Sequence, residues 1–148
     1  MTDHFDTTDA LAMRESMRQR IAARAATPWW YPPLYGLGCG GMVASIALPL
    51  PLIAPGVVAC SLAIVAGYVV WSRSSGLSVN GYRRGRTLPI TIAVVVAFVL
   101  LGLTAMLLRF EAGIGWAPLA CGAVLAVFAG LGSAAWDRAW RADILSAA

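Results

Sequence analysis

A chain of 148 residues that is 59% hydrophobic and 12% charged, with a mean hydropathy of +0.74, lies outside the range of soluble domains. Its net charge of +4 comes from arginine alone, there being no lysine. Four apolar segments, a short arm and short loops consume the whole length, which excludes a separate soluble catalytic domain; the arginines flank apolar segments, so anionic lipid headgroups are the expected partner and nucleic acid is not.

The cytoplasmic arm, residues 1–27, comes first. Asp3, His4, Asp6 and Asp9 are metal-capable groups, but at a free terminus they read as a solvated tail, and neither a metal nor another cofactor is expected. Thr8 followed by Asp9 suits a helix start, and nothing breaks a helix from there to Ala26. Met13, Met17 and Ile21 line one face, flanked by Arg14, Arg18, Arg20 and Arg24. That pattern predicts an amphipathic helix over about 8–26 that lies on the headgroups, or docks a soluble partner. Thr27-Pro28 ends it, and Trp29-Trp30-Tyr31-Pro32-Pro33 forms a stiff aromatic junction.

Residues 28–148 form the membrane domain, with spans expected at about 34–50, 54–72, 88–108 and 114–136. None carries an ionisable residue in its interior, and each approaches the roughly 20 residues that cross a hydrocarbon core. Pro49, Pro51 and Pro55 crowd the first turn, so the first helix should stop near Leu48 and the second begin near Pro55. Small residues recur every four positions in three segments: Gly36, Gly40 and Ala44; Ala59, Ala63 and Gly67; Gly122, Ala126, Gly130 and Ala134. Residues four apart share a helix face, and strips without bulk let helix backbones approach in lipid. The third segment is bulky nearly all round and is expected to face lipid over most of its surface. Cys39, Cys60 and Cys121 are widely spaced within spans and read as packing residues.

Arginines sit in the arm, in the middle loop (Arg73, Arg83, Arg84, Arg86) and in the tail (Arg138, Arg141), whereas the other two connections hold only Arg109 and Glu111. The positive-inside rule makes the arginine-rich side cytoplasmic, with both termini inside the cell membrane. Trp29, Trp30, Trp71, Trp136 and Trp140 map to the same side and read as interface anchors; Trp116 is alone on the other. A cytoplasmic-side pocket for an aromatic or lipid-like ligand is the other meaning of that skew. The loop arginines Arg83, Arg84 and Arg86 join those of the arm as headgroup or partner contacts.

The fold class expected is thus an all-α integral membrane protein, a four-transmembrane-helix bundle with an N-terminal amphipathic helix. No catalytic constellation is visible. The hydroxyls of Ser45, Ser61, Thr91, Thr104, Ser133, Tyr35 and Tyr68 stand beside no base, and Asp137 and Asp143, next to Arg138 and Arg141, read as ordinary helix-end charges. Four-span proteins of this size include the small multidrug-resistance exporters and the fluoride channels. The exporters depend on an acidic residue in the first span, which is absent here, and no fluoride-channel pore pattern is present. The expectation is a non-catalytic membrane subunit or interaction scaffold that binds itself or a membrane-protein partner. The alternative is a homo-oligomeric channel or transporter without a proton-coupling carboxylate.

Overall fold

The computed structural model describes residues 27–75 and 87–146, together with Met13, Ser16 and Met17 of the arm. Within the continuous described segments every regular element is helical: α1 (Tyr31–Ala44) with a 3-10 turn at Ser45–Ala47, α2 (Leu50–Ser75), α3 (Thr87–Phe110) and α4 (Ala117–Ser146). Three of them are long and apolar enough to cross a membrane, over Leu50–Ser74, Thr87–Phe110 and Ala117–Asp143. The first helix, expected over 34–50, has only 14 residues and is shifted towards the N-terminus.

Proline explains the shift at both ends. Pro32 and Pro33 enter the first turn of α1, where the missing N–H would have had no partner in the helix. At the other end Leu48 precedes Pro49, which disfavours helical backbone, and Leu48 is extended at φ −71°, ψ 161°. The start of α2 is also corrected. Leu52 N–H donates to the Pro49 carbonyl at 2.8 Å, so helix forms from Leu50, and Pro55 lies inside it and not in its first turn. Between α3 and α4, Gly113 turns the chain with φ +69°, and Ile114 N–H returns to the Leu108 carbonyl at 2.9 Å, closing the end of α3. Beyond Trp136, α4 continues unbroken to Ser146.

The short helix α1 occupies the centre. Its broadest contact is with α4; α3 packs chiefly on α4 and α2 chiefly on α1, while α2 and α3 share no substantial contact. The helices therefore follow one another as α2–α1–α4–α3, an open arrangement with a central antiparallel pair. The core gathers Cys39 and Val43 of α1, Val94 and Ala105 of α3, and Leu125 and Ala129 of α4. One end of this arrangement, the arm end, carries Thr27, the C-termini of α2 and α4 and the start of α3. The other, the turn end, carries Pro49 and Gly113. In the arm, Met13 and Met17 are helical and exposed, and Ser16 Oγ donates to the Met13 carbonyl at 2.9 Å. Ile21 and Arg14, Arg18, Arg20, Arg24, Arg83, Arg84 and Arg86 lie outside the described residues.

Candidate functional site

The glycine ladders of α1 and α4 meet each other. A Cβ on Gly36 would fall 2.9 Å from the Gly130 nitrogen, one on Gly40 2.7 Å from Ala126 Cβ, and one on Gly122 2.6 Å from the Gly40 carbonyl oxygen. Real side-chain carbons do not approach that closely, so backbone rests on backbone along this seam. Ala44 belongs to it, 3.0 Å from the same Gly122 position, whereas Gly130 has more room, its nearest neighbour being the Pro32 carbonyl at 3.4 Å. Ala134 is half-buried beyond the contact. The α2 ladder is divided differently: Gly67 is buried, and a Cβ there would fall 3.6 Å from Trp30 Cζ3 and closer still to Leu34, but Ala59 and Ala63 are exposed. The face of α2 that meets α1 runs instead through Cys60 and Ile64, which pack on Gly41 and Gly38.

Close approach at the arm end gathers aromatic rings. Tyr31 and Tyr35, one helical turn apart on α1, stack with centroids 6.3 Å apart. Tyr68 and Trp71 of α2 meet edge to face at 5.8 Å, and Tyr31 spans the seam to Trp71 at 5.9 Å. These rings line a partly open cavity of about 280 Å³ together with Ile90, Thr91, Val94 and Val95 of α3, Gly132, Ser133 and Trp136 of α4, and Thr27. All its walls belong to the arm end. Trp71, expected as an interface anchor, is instead 5% exposed and part of this wall. Trp29 is 87% exposed. Trp30 is half-buried against Tyr31 at 6.0 Å, and Trp136 and Trp140 stack at 6.3 Å.

Beside the cavity is a carboxylate that sequence reading undervalued. Asp137 is 6% exposed. Its Oδ1 accepts from Thr27 Oγ1 at 2.6 Å and from Thr27 N–H at 3.2 Å, and Oδ2 pairs with the Arg141 guanidinium one turn on. It fastens the chain entering α1 to α4. Arg109 does the corresponding work at the turn end, donating to the Ile46 carbonyl and, at 2.7 Å, to that of Leu48. No local signal announces either role, because the partners are 110 and more than 60 positions away. Within the helices, Ser45, Ser61 and Thr91 hydroxyls donate to carbonyls four residues back, on Gly41, Val57 and Thr87. Among the described residues no three His, Cys, Asp or Glu side chains group as metal ligands.

Compared with models of known protein families, with characterised proteins and with solved structures, the chain matches none.

Proposed function

We propose that this chain is a four-pass protein of the cell membrane with both termini cytoplasmic, acting as a non-catalytic subunit that binds a membrane partner or a second copy of itself. The fourth crossing is α1. Its 14 α-helical residues and 3-10 turn extend roughly 27 Å at 1.5 and 2.0 Å per residue, close to a hydrocarbon core of about 30 Å. Arginine and tryptophan asymmetry supports the orientation, and the methionine and arginine pattern of the arm supports a helix on anionic headgroups.

One observation carries the subunit reading. The cavity draws its walls from the arm end alone, and beyond it α1 and α4 pack backbone to backbone. The hydroxyls of Ser45, Ser61 and Thr91 are engaged by their own helices, which speaks against these three as the lining of a polar route through a single copy. A homo-oligomeric channel or transporter is the second reading, favoured by the apolar flanks of α2 and α3, where Leu62, Val58 and Leu100 are more than half exposed. Affinity purification in mild detergent with mass spectrometry tests the first reading. It expects a stoichiometric membrane partner, or the chain itself as a defined oligomer, and no flux when the chain alone is placed in liposomes. Ion or organic-cation flux from the chain alone would overturn it. For orientation, a cysteine at Ser78 should resist impermeant labelling in intact cells while one at Gly113 reacts; the reverse pattern would invert the topology.

A further inference from the structure

The kind of ring in the arm-end cavity is selective. Tyr31, Tyr35 and Tyr68, the three tyrosines among the described residues, all line it with Trp71 and Trp136, whereas Phe98, Phe110 and Phe128 do not. Tyrosine and tryptophan also suit a bilayer interface, but an interface ring is displayed outward, as Trp29 and Trp116 are at 87% and 67% exposure. Trp71 is turned inward and buried. Its neighbours hold it: Tyr31 and Tyr68 lie within 6 Å, and Tyr31 is itself stacked on Tyr35. The wall is therefore organised before any ligand arrives, which lowers the ordering cost of binding.

We propose that this cavity binds a quaternary ammonium group, of the trimethylammonium kind carried by choline and by choline phospholipids. Rings with an electron-rich face attract a cation without supplying hydrogen bonds, and tryptophan and tyrosine do so best. The walls present no formal charge, so an anion finds no counter-ion there and meets the negative faces of the rings. Among the described residues the carboxylate beside the lining, Asp137, already answers Thr27 and Arg141. A primary ammonium would have to exchange its hydration for hydrogen bonds, and the side chains of the wall offer it neutral hydroxyl oxygens but no carboxylate. A quaternary ammonium has no N–H to satisfy, so it needs none of those bonds. The volume of about 280 Å³ lies near the lower end for small-molecule pockets and suits a headgroup better than a large ligand. This goes beyond the subunit reading and holds equally for a carrier.

The test uses the purified full chain in maltoside detergent, with choline chloride titrated against tryptophan fluorescence. The neutral isostere 3,3-dimethylbutan-1-ol serves as comparison, and potassium chloride holds the ionic strength. Choline should give a saturable change, with the isostere about 10-fold weaker or worse. Tyr68→Leu should weaken choline by about 2- to 30-fold, and Tyr68→Phe, which keeps a ring, should stay within about 2-fold; a thermal melt of each variant confirms that it is folded. Two sources share this chemistry, and nanodiscs separate them. If phosphatidylcholine discs abolish the choline response that phosphatidylglycerol discs retain, the occupant is a lipid headgroup; a response retained in both means a soluble cation. Equal binding of the isostere, no saturable change, or full choline affinity in folded Tyr68→Leu would each overturn the proposal. Because no partner is present, failure here leaves the partner experiment untouched.

Discussion

The two ends of α1 are held by the same device with opposite sign. At the arm end a carboxylate, Asp137 of α4, accepts hydrogen bonds from Thr27 on the segment leading into the helix. At the turn end a guanidinium, Arg109 of α3, donates to the carbonyls of Ile46 and Leu48 that follow it. Neither contact caps the helix itself: Thr27 precedes the N-cap residue Trp30, which makes no side-chain cap bond, and the Ile46 and Leu48 carbonyls lie beyond Ala44. Each instead ties a segment flanking the shortest helix to a neighbouring helix, an anion answering the Thr27 donors and a cation answering the two carbonyls. The ends differ in what surrounds the tie: Asp137 is buried beside an aromatic cavity, whereas Arg109 is half-buried and lies 5.5 Å over the Phe110 ring. The lesson is that charges at the margins of apolar helices can complete a neighbour's backbone without taking part in chemistry.

The largest expected effect breaks the central pair of helices that lies between these two ties. Gly40→Leu should abolish the folded, monodisperse species on size exclusion in detergent, because even a Cβ there meets Ala126 and the Gly122 carbonyl. Gly40→Ala should cost about 1–3 kcal/mol, the range for overpacking. Gly130→Ala, with its nearest neighbour at 3.4 Å, should be neutral or slightly stabilising, since alanine is the better helix former by about 1 kcal/mol. Equal melting temperatures for the two alanine variants would contradict the seam geometry.

Next come the ties themselves. Asp137→Ala leaves the Thr27 donors without their acceptor and should destabilise by about 2–3 kcal/mol, read by thermal denaturation in detergent. Arg109→Ala exposes two carbonyls that are nearer to water and should cost less, about 1–2 kcal/mol. A larger loss at Arg109 than at Asp137 would reverse the ranking of the two ends. The smallest effect is expected from deleting residues 1–24. Thr27 and its bonds to Asp137 remain, so the melting temperature should stay within the scatter of wild type; a marked fall would mean that the arm itself helps to hold the helices together.

The sequence determined much of the architecture by itself. Uninterrupted apolar runs fix α2, α3 and α4 as helices long enough to cross a bilayer, since backbone in lipid must satisfy its own hydrogen bonds. Four-residue spacing brought Gly36, Gly40, Gly122 and Ala126 to notice. Boundaries near proline were less legible: the Pro49 carbonyl already accepts from Leu52 N–H, so α2 begins before Pro55 and includes it. The separation of Ala59 and Ala63 from Gly67 was not legible, because periodicity names a helix face but not the neighbour that face meets. The same limit hid the two ties and the cavity. Asp137 and Thr27, Arg109 and Ile46, Tyr31 and Trp71 are far apart in the chain, and only the order α2–α1–α4–α3 brings them within hydrogen-bond or ring contact. Local pattern is written in neighbouring residues, whereas a site is made by whichever helix faces happen to converge, and that is decided by the packing of the whole.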